Sequence, residues 1–498
     1  MESFAEWVAG VERSHRYPLE QSESCPRQPS CARPSATFDL RLSTFDLWQY
    51  AVRFMPRAAP IDAIHPDSRH ERDVTHFIAP PYDVLDADSK AALIEAGGTN
   101  IVEVDLPHLP PKTVGPDETY EQAGTHFRRW QSEGVLRRGE RPALFAYRQT
   151  FDGVDHQRVQ RLGLFVNLRL QPFGPGADGY GGIFQHEQTF AAPKEDRLKL
   201  MRATRAQLSP IFGFFDDPEG AIGTMIDRAT AAPPTMCGHT SGDGVLHEVW
   251  RIDAAQAVAA LVDALGPRDV FIADGHHRYT TALDYRRGLG DDLDPGHPAN
   301  QCLFVLVAMQ DPGMIVRPTH RVVAGVATDS AADVVRRCGG GIRLRAFPRH
   351  GGESTLTALE RLERALPSAG PHAIGLVLPA DPRQPLAVLT TAGEDPLAGR
   401  FADRPDSWRT LDVVLLQHLI VEPLVTEDAT GHHWSFPHTL DRLARDVDDG
   451  DFQMGLIMQP TPLERVRQVS EAGDVMPQKS TFFYPKLATG LVIHPLGD

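Results

Sequence analysis

The densest group of reactive side chains in this chain is Asp274-Gly275-His276-His277-Arg278, directly after the apolar run Val270 to Ala273. Gly275 permits a tight turn or the close approach of a ligand to the backbone. A helix starting near His276 offers unpaired N–H groups and the positive end of its dipole. His276, His277 and Arg278 add side-chain donors, which together make a seat for phosphate. The chemistry suggested is binding of a nucleotide or a phosphorylated small molecule. A plain helix cap at Asp274 and a metal site stand as alternatives. Adjacent helical residues point about 100° apart, so the two histidines rarely serve one ligand.

Four other segments concentrate reactive groups. Pro80-Pro81 stiffens the backbone before Tyr82 and Asp83, which makes either a rigid turn or a substrate-contacting loop. In 186–197, His186-Glu187 starts like a zinc-protease helix, but Phe190 stands where the second histidine belongs. Glu187 can take a proton from a substrate hydroxyl while Lys194 and Arg197 bind anionic oxygens; a solvated charged helix over 194–202 is the alternative. His320 and Arg321 repeat the histidine–arginine pairing after a strand. Lys479-Ser480-Thr481 matches the end of a phosphate loop without its glycines, leaving Lys479 and Ser480 as phosphate ligands and Phe482, Phe483 and Tyr484 as core. Lys486 reads as a solvated terminus of that segment.

The elements that must hold these groups are mixed. Ala143–Phe151 with Arg161–Leu168, Cys302–Met309 with Met314–Val316, and Ala373–Leu378 with Leu386–Thr391 read as hairpins. Ala254–Leu265, Ser354–Ala365, Leu411–Ile420 and Pro462–Ala472 read as helices, and Met454–Met458 as a strand. The fold class expected is α+β, with mixed sheets, several hairpins and helices. Residues 1–50, rich in Pro and Ser, are expected to be a poorly ordered extension. The remainder, 55–495, forms the catalytic region, with a subdomain boundary expected near 225–250.

At 498 residues the chain can bury a large core. Its 66 acidic against 50 basic residues give a formal charge of −16, which argues against a broad nucleic-acid-binding face. No apolar run is long enough to span a membrane, and the acidic start lacks the order of a secretory signal. Five scattered cysteines suggest neither a zinc ribbon nor a disulfide framework. A cytoplasmic location is expected.

Pro80–Val84, His186–Arg197, Ser209–Ile211, Asp274–Tyr279, Pro318–Arg321 and Met476–Lys486 occur in one order. Over about 55–495 the chain thereby resembles a bacterial and archaeal family described only as a domain of unknown function. Its Asp-Gly-His-His-Arg turn is similar to the phosphate-binding loop of the ParB/sulfiredoxin superfamily, which includes free serine kinases. That resemblance implies a ParB/sulfiredoxin-like strand-turn-helix. It also implies that Gly275, His276, His277 and Arg278 hold nucleotide phosphates, with Asp274 near the transferred group or a magnesium ion.

The function expected is phosphoryl transfer between ATP or ADP, with Mg²⁺, and a small hydroxy compound such as serine, or its reverse. Phosphate ligands are Gly275, His276, His277, Arg278, Arg321, Lys479 and Ser480; catalytic groups are Glu187, Asp274 and His277. Tyr82, Asp83, His186, Lys194, Arg197 and His320 would contact substrate, and Asp274 the metal. Two alternatives stand: a divalent-metal hydrolase using His186, Glu187, Asp274, His276, His277 and His320, and a non-catalytic nucleotide-binding regulator of ParB type.

Overall fold

The computed structural model describes residues 57–497, except 70, 154–156, 178, 327–329, 380, 382–384 and 425–433. The expected extension at 1–50 lies outside the described residues. The architecture is α+β, as expected, and rests on two sheets.

Nine strands build the main sheet: β1 (Ala58–Ala59), β2 (Leu144–Asp152), β3 (Arg158–Arg169), β4 (Ile183–Phe184), β5 (Ile211–Phe215), β6 (Met236–His239), β7 (Leu246–Ile252), β8 (Val270–Asp274) and β9 (Gln301–Ala308). Their order is β4-β8-β5-β9-β3-β2-β7-β6, with β1 beside β3. Only β4–β8 and β5–β9 are parallel pairs. Side chains alternate between two apolar layers, the period-2 consequence of the pleat. Phe145, Phe165, Leu303 and Val305 enter one layer, while Ala146, Leu164, Val166 and Phe304 enter the other.

The second sheet is wholly antiparallel: β10 (Arg321–Val323), β11 (Ile342–Ala346), β12 (Ile374–Val377), β13 (Leu386–Thr391), β14 (Trp434–Ser435) and β15 (Met454–Ile457). Its order is β11-β13-β12-β15-β10-β14. One face shares the first apolar layer of the main sheet, through Val323, Leu376 and Leu456. The other face is covered by α4 (Thr355–Ala369) through Leu359, Leu362 and Leu366, which follow helical spacing.

Three helices flank the candidate site: α1 (Asp117–Ser132), α2 (Ala191–Thr204) and α3 (His276–Gly288). β8 is buried from Val270 to Ala273 and stops at Gly275, whose left-handed φ of 98° ends the extended backbone. In α3 the buried residues His276, Tyr279, Ala282 and Tyr285 recur every three positions, so that face enters the core.

The hairpins at 143–168 and 373–391 form as expected. The third does not. β9 is apolar on both faces and takes a central place between β3 and β5, which leaves no free edge. Ile315–Arg317 instead pairs antiparallel with Phe482–Tyr484 of the C-terminal motif. The stretch near 225–250, where a subdomain boundary is expected, carries strands of the main sheet. β6 and β7 lie there and continue the main sheet through pairing of β7 with β2. The expected helix at Leu411–Ile420 is a single α-turn, Asp412–Leu415, followed by the wider turns of Leu416–Val421.

Candidate functional site

Asp274 is the hub of the turn. Its Oδ1 accepts from the Lys486 ammonium at 2.6 Å and its Oδ2 from the Arg278 guanidinium at 2.7 Å. Burial opposes the charge, but Lys486 and Arg278 outweigh it and hold the carboxyl well below the usual range. Arg278 also donates to the Pro210 carbonyl. A side chain at 275 would strike this guanidinium at about 3.0 Å, a second reason for glycine there. The sequence-predicted phosphate ligand Arg278 is therefore already committed, by one carboxylate and one carbonyl.

The histidines are neutral acceptors. The His186 amide points at His276 Nε2 at 3.3 Å, and the Phe190 amide donates to His277 Nε2 at 2.9 Å. The rings of His186 and His276 meet edge to face at 4.6 Å, and Phe190 stacks on His277. Burial is the first cause that pushes His276 well down and brings His186 and His277 to about 4. These rings brace the strand and loop of 183–190 against α3 instead of presenting positive charge.

A second group of charges lies outside this knot. Burial raises the Glu187 carboxyl above its ordinary value, against the pull of Lys479 and Lys486. Lys479 is exposed as a residue, yet desolvation and then repulsion from Lys112 lower its pKa, with Glu187 and Asp83 opposing. Lys112 stands 3.8 Å from Asp83, too long for a hydrogen bond, and both side chains are partly open to solvent. Asp83 Oδ1 is buried with no hydrogen-bond partner among the described residues. Both lysines have left-handed backbones, at φ 67° for Lys112 and 57° for Lys479. For a residue other than glycine this conformation costs on the order of 1 kcal/mol and clusters at functional sites. Lys112 was not singled out in the sequence, and no local pattern marks it.

Other sequence-predicted residues serve as supports. Tyr82 is buried beneath the Arg197 guanidinium, 3.9 Å from its ring. Arg197 donates to Asp196 Oδ2 and to the Asp105 carbonyl, both at 2.7 Å. Lys194 reaches Asp284 of α3 at 4.0 Å. His320 is buried and accepts from the Met458 amide at 3.2 Å, so it pins β15. Arg321 donates to Thr319 O at 2.6 Å and Lys479 O at 2.8 Å, which fixes the backbone of Lys479. Ser480 Oγ donates to the Pro477 carbonyl. Arg197, His320, Arg321 and Ser480 are thus held by internal hydrogen bonds, and the Tyr82 ring is covered by Arg197. Lys486, expected as a solvated end, is instead the partner of Asp274.

Asp274 does not fit Mg²⁺. Both oxygens already face cations, and a third cation there would be repelled. Among the described residues no group of three or more His, Cys, Asp or Glu is arranged to hold a metal ion. A cavity of about 680 Å³ is lined by His372, Asp395, Asp406 and Arg465 of the second sheet's surroundings and contains none of the predicted site residues. No helix among the described residues is long and apolar enough to cross a membrane.

Among solved structures, a free serine kinase in complex with AMP aligns over 64% of this chain and 95% of its own, at 13% identity and a TM-score of 0.28. A conserved hypothetical protein from Pyrococcus furiosus aligns over 62% and 92%, at 14% identity and a TM-score of 0.28. No curated protein matches the chain. The model of the family described as "Protein of unknown function (DUF1015)" matches residues 58–414, and the chain belongs to that family.

Proposed function

We propose that the protein binds a nucleotide at the mouth formed by Glu187, Lys479, Asp83 and Lys112, and transfers a phosphoryl group between it and a small hydroxy compound. The observation that carries this reading is the half-buried Glu187 side chain, its carboxyl raised above its ordinary value, beside the exposed Lys479. A carboxylate with a raised pKa is suited to take a proton from a hydroxyl. Two lysines on strained backbone supply the positive charge that phosphoryl transfer needs. Asp83 Oδ1, unpartnered among the described residues, is available to a donor group of the substrate.

In this reading Asp274 keeps the turn rigid through Lys486 and Arg278, and His277 places the loop at Phe190. No step is assigned to Mg²⁺, because Asp274 offers it no free oxygen. Serine is the first hydroxy compound to test. The test is incubation of the purified protein with ATP or ADP and serine, followed by phosphorus NMR, with binding measured by calorimetry. A new phosphomonoester signal supports the proposal. Absence of nucleotide binding, and of turnover with a panel of small hydroxy acids, overturns it.

A further inference from the structure

Arg161 is fully buried on β3, and among the described residues no carboxylate forms an ion pair with it. Burial pushes its guanidinium down to about 10. A buried, unpaired cation is costly, so its donors must be spent well. They go to consecutive carbonyls of one distant segment: Tyr484 O at 3.1 Å and Pro485 O at 2.5 Å. Gln149, on the neighbouring β2, accepts from Arg161 Nε at 3.1 Å and donates to the next carbonyl, Lys486 O, at 2.9 Å. The guanidinium also lies 4.5 Å over the ring of Phe212. Three successive carbonyls are therefore gripped by one buried pair, and the residue at the end of the grip is the lysine that meets Asp274 at 2.6 Å.

We infer that Arg161 and Gln149 are positioning residues, which fix the backbone of 484–486 so that the Lys486 ammonium is aimed at Asp274. Neither residue faces the mouth itself. Their effect on the site is transmitted through Lys486, so the consequence for nucleotide chemistry rests on the function proposed above, whereas the positioning does not.

The test is site-resolved acylation of lysines by an amine-reactive ester, read by mass spectrometry, on the full chain without nucleotide. In the unmodified protein Lys486 should react at least about tenfold more slowly than the more open Lys112, as expected for an amine held in a charge-assisted contact. In Arg161→Lys, which keeps the charge but loses the fork, and in Gln149→Met, the rate at Lys486 alone should rise by about tenfold. A general loosening would raise all lysines together and would count against the inference. So would folded variants in which Lys486 keeps its protection. Should neither variant fold, equal reactivity of Lys486 and Lys112 in the unmodified protein overturns it. The labelling needs no nucleotide, so its failure and the failure of phosphotransfer are separate results.

Discussion

The turn at Asp274–Arg278 and the mouth at Glu187–Lys479 carry similar residue types and opposite electrostatics. In the turn, every charge has a close partner: Asp274 sits between Lys486 and Arg278, and the histidines are neutral. At the mouth, Glu187, Lys479, Asp83 and Lys112 influence one another without a short ion pair. In the proposed reading, density of reactive side chains in the sequence marks the frame, while the more loosely paired charges mark the surface for a ligand.

The comparison breaks most visibly in the turn. Asp274→Asn strips two buried cations of their shared partner, and a loss of about 3–5 kcal/mol in unfolding free energy is expected, measured by denaturant titration. A change below about 1 kcal/mol would show that the knot is not structural. At the mouth, Glu187→Gln should leave stability nearly unchanged and reduce turnover by about 10²–10⁴-fold, the usual contribution of a general base. If the proposed transfer is the protein's activity, its kcat/KM should fall as pH drops through the raised Glu187 value, because only the carboxylate accepts the proton. A profile flat down to the ordinary carboxylate range would remove Glu187 from that role. Lys112→Met should weaken nucleotide binding by about tenfold, as for one partly exposed charge-assisted contact, with the loss shrinking at high salt.

The smallest effect is on the pH dependence of stability. Asp274 has a folded pKa below that of the unfolded chain, so its contribution is fully present above roughly pH 4–5 and is lost as pH falls toward the folded value. Asp274→Asn should flatten that acid limb. An unaltered limb would mean that other carboxylates cause it.

Legibility in the sequence followed local physics. β8 and α3 were readable because Val270–Ala273 is apolar, Gly275 interrupts it, and Tyr279, Ala282 and Tyr285 repeat at helical spacing. The failed hairpin after β9 was not readable, since a strand buried on both faces carries no sign of which neighbours it will take. His276 and Arg278 looked like phosphate ligands because their types fit. Their commitment to His186 and Asp274 depends on partners about ninety residues away for the first and four for the second. Lys112 and Arg161 could not be found at all from spacing, because one stands out only by its left-handed backbone and its place near Asp83, and the other by bonds to carbonyls more than three hundred residues distant.

The central claim is that the mouth, not the turn, holds the nucleotide's charge. The most direct test compares ATP dissociation constants for Lys479→Met and His277→Asn by calorimetry at neutral pH, where His277, held near 4, is uncharged. Lys479→Met should weaken binding by about 10- to 100-fold, and His277→Asn by less than about threefold. The reverse order, with His277 dominant and Lys479 dispensable, would contradict the account.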